Sequence, residues 1–508
     1  MNFLGEDLTG INKLQNEELY SQTSSDQSTN SVSEKIIAII GAGIAGLTLC
    51  LELCRLGIKP ILLERQKFCG GLATSIPYDG YRIDIGPHYV ALPKHSEITE
   101  DIFNLMGQNE VIKLPNDIFS KFYKTNFNGK LYSGYPSLME VLRNSGSGFF
   151  IKSIWDIFLT KLKNKSQKSE FDNAKDYLCS SYGEFLYNAW FKPYLYRRYQ
   201  NNEPPVSDVL KQFPVPTFRR IFSNAAKQSK KTSSKDVSYS EQDSIICYFN
   251  GGMLSLIQKI ENEILKLGGR IEFDFNIHSI EHLNSKKTII GNKNGKKITL
   301  QANGIVYATS PQIALQWFDN PPNSLTLKND NNGIHIIMVF LFIDKPKFFD
   351  SWVVNFYDPN ICFSRIAQQN FLSETIAPPG KSLLSIEIRT TENNPLWKMN
   401  DSQLYKLVVR DLKKSKILTS EKIDGYKIIK FKNLYPNPLL KKENSREKII
   451  TFINSHKNEY VIAGEIDTGV LATGTSEKSP QKILYGGGIY MSFYKSKNLA
   501  EVISSALK

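Results

Sequence analysis

The sequence predicts an α/β protein, in which a parallel sheet is assembled from distant parts of the chain and an α+β domain is inserted between those parts. Runs at 35–40, 60–63, 304–311 and 459–465 each contain a short apolar stretch, which is typical of strands buried on both faces. Between them, 333–390 holds longer strand-like runs that suit an antiparallel sheet.

Length and composition limit the class of protein. The chain has 508 residues, and its 41% of hydrophobic residues can build packed cores, which excludes collagen-like, disordered and disulfide-scaffold proteins for most of the chain. Six cysteines occur without paired CxxC motifs or Cys/His ligand spacing, so we expect no metal site and a reducing, cytoplasmic compartment. The polar run 1–33 carries no targeting pattern and is predicted to be a disordered tail.

The net charge of +13 has two interpretations. It favours acidic partners, such as anionic lipid or a phosphorylated substrate, but lysines scattered over a surface need no partner. No zinc finger, RNP-type strand or continuous basic helix occurs, so we expect no nucleic-acid partner. No apolar stretch reaches the roughly 18 residues that a membrane-spanning helix needs.

The first predicted element is a β–α–β unit. The strand KIIAII at 35–40 is followed by GAGIAG and by an amphipathic helix that Gly57 closes. A second strand at 60–63 ends at Glu64. A glycine turn between a strand and a helix, with an acidic residue about 20 positions later, predicts a dinucleotide-binding site.

Each glycine of GAGIAG has its own physical role. Gly41 allows the tight turn, Gly43 lets the backbone approach a pyrophosphate, and Gly46 lets the helix pack closely on the strand. The helix N-terminus offers free N–H groups and a partial positive charge to that pyrophosphate. Glu64 is placed to accept hydrogen bonds from the ribose hydroxyls, and its charge disfavours a 2′-phosphate.

A second glycine pair distinguishes FAD from NAD. Gly70 and Gly71 precede the run DGYRIDIGPHYV at 79–90. This arrangement resembles the ER…GG…DxGPH pattern of the FAD-dependent amine-oxidase superfamily. The resemblance implies FAD as the cofactor and a Rossmann-like FAD-binding domain, discontinuous in sequence, with an inserted α+β substrate domain that contains an antiparallel sheet.

The resemblance continues along nearly the whole chain from residue 35, in members similar to protoporphyrinogen oxidase, phytoene desaturase and UDP-galactopyranose mutase. The runs that carry it are YGEFLYNAWFKPYLYRRY at 182–199, FNGGM at 249–253, VYATSP at 306–311, WVVNFYDPNICFSRI at 352–366 and YVIAGE at 460–465.

The resemblance also implies a set of cofactor-binding residues. They are Gly41, Ala42, Gly43 and Gly46 at the pyrophosphate, Glu64 and Arg65 at the adenosine, Gly71 and Leu72 along the cofactor, Gly86, Pro87 and His88 beside the isoalloxazine, Gly464 and Glu465 at the ribityl phosphate, and Gly487, Gly488 and Ile489 below the flavin pyrimidine. Glu465 stands where aspartate is usual, which keeps the carboxylate and lengthens its reach.

Three residues are candidates for catalysis. His88 could shuttle a proton or polarise a substrate, or it could be a structural histidine. Arg365 could bind an anionic substrate through two parallel hydrogen bonds or form a surface ion pair. Tyr494 lies in YGGGIYMSFYKSKN, where the mutases carry an arginine and then a Tyr-Tyr-Asp-Met-like run, and it could keep a phosphate-binding role.

We expect two domains built from interleaved segments. The FAD-binding domain is placed at 34–115, 245–312 and 455–508, and the substrate domain at 116–244 and 313–454.

One segment of the predicted substrate domain suggests a surface. The run near 115–220 is expected to be mainly helical, and within it FFIKSIWDIFLTKL at 149–162 is followed by the basic KNKSQK. Such an amphipathic helix could make a peripheral membrane contact, or it could face the core with a solvated basic flank.

The residues and the resemblance together favour a redox enzyme. We expect an FAD-dependent oxidoreductase that removes a hydride from a C–H or C–N bond of a bulky, partly apolar small molecule, such as an amine, a polyene or a porphyrinogen-like ring. The alternatives are a non-redox UDP-sugar mutase-like enzyme, in which reduced flavin is the nucleophile, and a flavin-binding protein without turnover. The oligomeric state is left open.

Overall fold

The computed structural model describes a large part of the chain. The described residues are 35–86, 88–115, 117–127, 129–133, 138–163, 171, 173–200, 204, 206, 209, 244–282, 286–323, 325, 333–435, 445–462 and 488–507.

The strands of this part are β1 (Ile37–Ile40), β2 (Ile61–Leu63), β3 (Ser75–Tyr78), β4 (Tyr81–Asp84), β5 (Val90–Pro93), β6 (Val111–Lys113), β7 (Tyr123–Phe127), β8 (Lys130–Ser133), β9 (Ser244–Phe249), β10 (Arg270–Glu272), β11 (Phe275–Glu281), β12 (Lys287–Lys293), β13 (Lys296–Ala302), β14 (Gly304–Tyr307), β15 (Ile334–Ile343), β16 (Val353–Phe356), β17 (Arg365–Gln368), β18 (Ser382–Thr390), β19 (Ile423–Tyr435) and β20 (Glu459–Val461).

The α-helices are α1 (Ile44–Arg55), α2 (Glu97–Met106), α3 (Ile118–Lys121), α4 (Leu138–Asn144), α5 (Ser147–Lys163), α6 (Ala174–Tyr182), α7 (Glu184–Leu186), α8 (Lys192–Tyr199), α9 (Met253–Lys266), α10 (Pro311–Ala314), α11 (Pro395–Lys398), α12 (Asp401–Lys414), α13 (Ser445–Asn454) and α14 (Ile489–Leu507). A π-helical turn, Tyr187–Phe191, joins α7 to α8.

A parallel sheet of five strands forms the nucleotide-binding half, in the order β10-β2-β1-β14-β20. Ile37 pairs with Gly304, and Ile305 pairs with Glu459, so segments far apart in sequence lie side by side. Helices α1, α9 and α14 cover one face of the sheet, and β11–β13 with α13 cover the other. The predicted fold class, an α/β protein with a discontinuous Rossmann-like domain, is confirmed.

A second sheet has seven strands in the order β19-β15-β18-β17-β16-β7-β8. Its described pairs are antiparallel except that β16 and β7 run parallel. Alternate residues of β15 separate its two faces: Met338 and Phe340 pack into the core shared with the nucleotide-binding half, whereas Val339 and Leu341 pack beneath α12. The expected antiparallel sheet of the substrate domain is therefore present.

Some segments differ from the sequence interpretation. The region near 115–220, expected to be mainly helical, also contributes β7 and β8 to the large sheet. Just before that region, β6 pairs with β9 in a separate small sheet. Helix α13, which lies inside the predicted substrate domain, packs through Ile449 and Ile453 against the parallel sheet. The domain boundaries themselves stay a prediction.

The sequence predicted no membrane-spanning helix and left open a peripheral membrane contact through 149–162. Among the described residues, no helix combines the length and apolar character needed to cross a bilayer.

Candidate functional site

The glycine turn after β1 is closed by steric contacts. Gly41 has a φ of +104°, and a Cβ atom there would lie 2.8 Å from the carbonyl oxygen of Ala308, at the end of β14. A Cβ atom on Gly46 would lie 1.9 Å from the carbonyl oxygen of Gly41. Both positions therefore need glycine, one for its backbone conformation and the other because helix and turn are in contact.

Gly43 meets a different environment. A Cβ atom built on Gly43 would have no neighbour within 4 Å, so this glycine borders open space. Gly43 is also the N-cap of α1, no side chain caps the helix, and its first turn contains no acidic residue. The first N–H groups of α1 therefore have no side-chain cap and lie next to that open space, where an anion could bind them.

A second glycine loop packs against the first. Gly70 forms a β-bridge with Gly43 and donates a 2.7 Å backbone hydrogen bond to the carbonyl of Ala42. A Cβ atom on Gly71 would approach the Cα of Gly43 to 3.3 Å. The two glycine loops thus border one opening, with Leu72 packed half-buried beside them.

Glu64 follows β2 and holds the turn in place. Its carboxylate accepts hydrogen bonds from the backbone N–H groups of Ala42, at 2.7 Å, and Gln66, at 2.8 Å. Burial raises the pKa of Glu64, while those backbone hydrogen bonds and the charge of Arg65 oppose the rise. Because a carboxylate offers about four lone-pair sites, Glu64 can organise the turn and still accept a hydrogen bond from a ligand.

His88 lies beside the same opening. Its ring atoms Cε1 and Nε2 would be 3.6 Å from a Cβ atom on Gly86, and Nε2 is buried with no hydrogen-bond partner among the described residues. Burial lowers the pKa of His88 and the charge of Arg365 acts in the same direction, although Asp84 and the Leu72 backbone oppose them. The imidazole is therefore neutral at pH 7, with one nitrogen available to a ligand.

Asp84 is the centre of a buried network that sequence reasoning missed. Its carboxylate accepts hydrogen bonds from Ser75 Oγ, at 2.5 Å, and from the hydroxyl of Tyr248. The backbone N–H of Met253, at the start of α9, donates to it at 3.3 Å. Burial raises the pKa of Asp84, and the neighbouring His88 opposes this. The signal was the carboxylate inside DIGPH, four residues before the histidine.

The backbone of Asp84 also ties the two halves together. Its N–H donates to Gln369 Oε1 at 3.0 Å, and its carbonyl accepts from Gln369 Nε2 at 2.8 Å. Gln369 follows β17 of the large sheet, so this pair of hydrogen bonds fixes β4 against that sheet.

Arg365 begins β17 and forms an interior ion pair with Glu387 of β18. Arg389 donates to the other oxygen of Glu387 at 2.8 Å. Although burial alone would raise the pKa of Glu387, the two guanidinium groups lower it to about 2. The ion pair considered for Arg365 is thus present, but its partner Glu387 is buried and Arg365 itself is only partly exposed.

Helix α8 adds aromatic and basic side chains. Arg198 donates to the hydroxyl of Tyr194 at 3.2 Å, and its backbone carbonyl accepts from Arg389 at 3.0 Å. Arg197 is buried and donates to the backbone carbonyls of Asp358 and Ile361. Arg198 thus lies close to the Arg365–Glu387–Arg389 group, while Arg197 fixes the loop that precedes β17.

The last helix lies along the first. The hydroxyls of Thr48 and Ser496 are 2.8 Å apart, and Lys35, just before β1, contacts the backbone of Leu507. These two contacts place α14 alongside α1, and the two helices run in the same direction. Ile489 at the start of α14 is buried, and a Cβ atom on Gly488 would meet nothing within 4 Å.

The remaining predicted residues have different outcomes. Tyr494 is 36% exposed on α14, stacked with Tyr490, and the described contacts do not join it to His88 or Arg365. Pro87, Gly464, Glu465 and Gly487 lie outside the described residues. The catalytic and cofactor-binding roles assigned from sequence stay predictions.

The nucleotide-binding segment matches a known family. The model of an NAD(P)-binding Rossmann-like domain matches residues 39–105, which contain both glycine loops and His88.

Two curated relatives match over longer stretches. Phytoene desaturase of Phycomyces blakesleeanus is 22% identical over 433 residues, covering 75% of this chain and 69% of that protein. The 4,4′-diapolycopen-4-al dehydrogenase of Metabacillus indicus is 23% identical over 332 residues, covering 61% of this chain and 62% of that protein. This chain therefore matches only about two thirds of the length of either relative.

A solved structure extends the likeness to nearly the whole fold. The crystal structure of reduced UDP-galactopyranose mutase is 16% identical and has a TM-score of 0.71, over 93% of this chain and 95% of that one. At this identity the likeness shows the fold alone. Together with the Rossmann-like segment and the desaturase and dehydrogenase relatives, it supports the resemblance to the FAD-dependent amine-oxidase superfamily that the sequence motifs indicate.

Proposed function

We propose that this protein binds FAD at the two glycine loops and uses it to oxidise a C–H or C–N bond of a bulky, partly apolar small molecule. The observation that carries the proposal is the open space at Gly43, bordered by the uncapped N-terminus of α1 and by Gly71. A helix N-terminus and closely approached glycine backbone are the features that a dinucleotide pyrophosphate requires.

The residues present fit this cofactor. Gly43, Gly71 and the first N–H groups of α1 would hold the pyrophosphate, and Glu64 would hold the adenosine ribose. His88 Nε2, buried without a described partner, would border the isoalloxazine and the substrate. FAD, when bound, supplies a two-electron acceptor that takes a hydride from the substrate.

The protein would supply position, proton handling and exclusion of water. The neutral imidazole of His88 can accept a proton at Nε2 from a substrate N–H or O–H group as the bond is oxidised. Asp84, close to that imidazole and itself held by Ser75 and Tyr248, would fix the loop that carries His88. The sheet residues around Arg365 would form the opposite wall of the substrate chamber.

The sequence relatives support redox chemistry over the mutase alternative. Both are named for oxidation, as a desaturase and a dehydrogenase, and both are more similar in sequence than the mutase structure. The degraded mutase motif at 485–498 also disfavours sugar isomerisation, although 485–487 lie outside the described residues.

A spectroscopic experiment tests the proposal. The purified protein should show the visible absorption of oxidised flavin, which should bleach when a substrate is added without oxygen. A Gly43→Glu variant should lose the flavin, because a carboxylate would occupy and repel the pyrophosphate site. Absence of flavin after reconstitution would contradict FAD binding, and UDP-sugar turnover only after dithionite reduction would favour the mutase instead.

A further inference from the structure

We propose that the substrate carries an anionic oxygen group, a carboxylate or a phosphate, which binds between Arg365 and Arg389. This inference rests on the proposed function, since it concerns the wall of the chamber in which the substrate would meet the cofactor.

The binding wall is a polar row across the large sheet. Thr125 of β7 pairs with Asn355 of β16, Asn355 pairs with Arg365, and Arg365 pairs with Glu387. Glu387 in turn pairs with Met338, whose side chain packs into the core shared with the nucleotide-binding half. The whole row therefore faces that half, and Arg389, two residues beyond Glu387, faces the same way.

The charges of this row do not balance. Two guanidinium groups share the single carboxylate of Glu387, which leaves a net positive charge in the interior. The Nε of Arg365 is also buried without a partner among the described residues. Because an uncompensated buried charge and an unpaired buried donor are both unfavourable, an anionic ligand would complete the group.

A ligand can reach this charge. The side chain of Arg365 keeps 24% of its surface exposed, although its ion pair lies inside the protein. Arg365 is also close enough to His88 for its charge to influence the imidazole. An anionic group held at Arg365 would therefore place the rest of the substrate beside His88.

This arrangement restricts the substrate class. A pure hydrocarbon has no group that could bind two guanidiniums, whereas an amphiphilic molecule could direct its anionic end to Arg365 and Arg389 and its apolar part along the aromatic side chains nearby. Tyr123 and Tyr435 lie near Arg365, and the ring of Tyr435 is 5.1 Å from the guanidinium of Arg389. Tyr194 contacts the neighbouring Arg198.

Calorimetric titration of the protein, with and without FAD, tests this inference. The probes are sodium benzoate and phenyl phosphate, which separate a carboxylate from a phosphate preference on the same ring. Neutral benzamide is the uncharged control. We expect one anion to bind and benzamide not to bind. Arg365→Met should weaken that binding about 10- to 100-fold, as expected for loss of charge-assisted hydrogen bonds. Arg410→Met, at an exposed arginine paired with Asp411 on the other side of the sheet, is the matched control and should not weaken it.

A Glu387→Gln variant distinguishes a binding role from a structural one. Removing the competing carboxylate should make the anion bind at least as tightly, whereas a purely structural network would only lose affinity. Equal binding of benzamide, no anion binding, or unchanged affinity in Arg365→Met would overturn the inference. Because the apoprotein is titrated too, failure to load FAD contradicts the proposed function without masking this result.

We also infer that α5 docks on a membrane surface rich in anionic lipid. Five large apolar side chains of this helix are exposed, at three- and four-residue spacing along one face: Ile151, Trp155, Phe158, Leu159 and Leu162. The opposite face, through Ser153 and Ile157, is buried against the helical part of the protein. The helix therefore has features of both alternatives considered from the sequence. One face packs against the core, and the other presents an apolar stripe that could contact a membrane.

Charge complementarity indicates a lipid surface as the occupant. Helical spacing puts Lys152 and Lys161 on the two sides of the apolar stripe, and the Lys152 ammonium lies 4.9 Å from the centre of the Phe185 ring. Asp156 points inward, where its carboxylate accepts a hydrogen bond from the backbone of Phe185 at 2.8 Å. An apolar stripe with basic borders suits the boundary between anionic headgroups and acyl chains.

Vesicle co-sedimentation of the full chain tests this second inference. We expect binding to phosphatidylcholine vesicles that contain phosphatidylglycerol and weaker binding to phosphatidylcholine alone. Trp155→Ser with Phe158→Ser should abolish binding, whereas Val502→Ser, at an exposed apolar residue of α14, should not. Absence of vesicle binding, or binding that survives the double substitution, would overturn the inference; self-association lost in the same variant would assign the face to a second copy instead.

Discussion

Thr48 Oγ1 and Ser496 Oγ lie 2.8 Å apart in a buried contact between α1 and α14, although 448 residues separate them in sequence. Thr48 also donates to the carbonyl of Ile44 at 2.9 Å, in the first turn of α1. The contact joins the helix that follows the glycine turn to the helix that ends the described chain. We therefore expect it to support the cofactor site as well as the fold.

Replacing Ser496 with alanine should destabilise this contact. The change removes the interhelical hydrogen bond, while the Thr48 hydroxyl still donates to the Ile44 carbonyl. We therefore expect the free energy of unfolding to fall by about 0.5–1.5 kcal/mol, measured by urea denaturation. Ser505→Ala, at an exposed hydroxyl of the same helix, is the control and should have little effect. If both variants unfold at the same urea concentration as the parent, the contact does not stabilise the protein.

The glycines of the first turn should respond differently to alanine. Gly46→Ala places a methyl group 1.9 Å from the carbonyl oxygen of Gly41, so α1 must shift and both folding and flavin binding should be lost. Gly43→Ala has open space and should stay folded, with weaker flavin binding. Circular dichroism and flavin absorbance measure the two effects. Gly148→Ala, also in open space, should change neither.

His88→Gln should slow reduction of the flavin without releasing it. Loss of a general base typically costs about 10²- to 10⁴-fold in rate, which stopped-flow absorbance would measure under anaerobic conditions. Because burial and Arg365 lower the pKa of His88, the parent should keep its neutral, active imidazole below pH 6.5. A parent rate that falls already above pH 6.5, or a variant that reduces as fast as the parent, would contradict this role.

The His282–Glu459 pair should make stability depend on pH. Glu459 is buried and accepts from His282 at 2.8 Å and from Lys287 at 2.7 Å. Burial alone would lower the pKa of His282, but the hydrogen bond and charge of Glu459 outweigh it and raise the pKa above 6.5. The folded protein therefore holds this proton more tightly than the unfolded chain, so the stabilisation is complete below pH 6.5 and is lost as the pH rises through the raised pKa.

A His282→Gln variant tests that dependence. Below pH 6.5 the variant should lose about 1.5–3 kcal/mol of unfolding free energy, because it lacks a hydrogen bond between charged groups. Well above pH 6.5 the loss should be smaller. Denaturant titrations of parent and variant across this range measure the difference. A loss that does not change with pH would show that the imidazole is neutral in the folded protein.

The sequence predicted those parts of the protein that local patterns determine. The glycine turn, the helix after it and the strand ending at Glu64 lie within one short segment, and each has its own apolar or glycine signal. Which other runs belong to the parallel sheet could also be predicted, because those buried strands have the same apolar character. Tyr194 and Arg198, one helical turn apart in α8, come close to Arg389 of β18 only through the fold, and no local pattern indicates that contact.

The parts that sequence reasoning missed depend on register between distant strands. Arg365 was recognised, but Glu387 and Arg389 became its neighbours only through the pairing of β17 with β18. The alternation in SIEIRT, with charged residues between buried apolar ones, was the available signal. Asp84 was overlooked because its partners Ser75 and Tyr248 come from separate strands, and their convergence has no local pattern.

The central position of β1 also affects how the protein is made. Ile36, just before this strand, hydrogen-bonds to Asn303, 267 residues later, and β1 pairs with β14 immediately after it. At about 5–20 residues per second, the ribosome needs tens of seconds to synthesise the intervening chain. During that time β1 has one unpaired, apolar edge, so the nascent protein should depend on chaperones until β14 emerges.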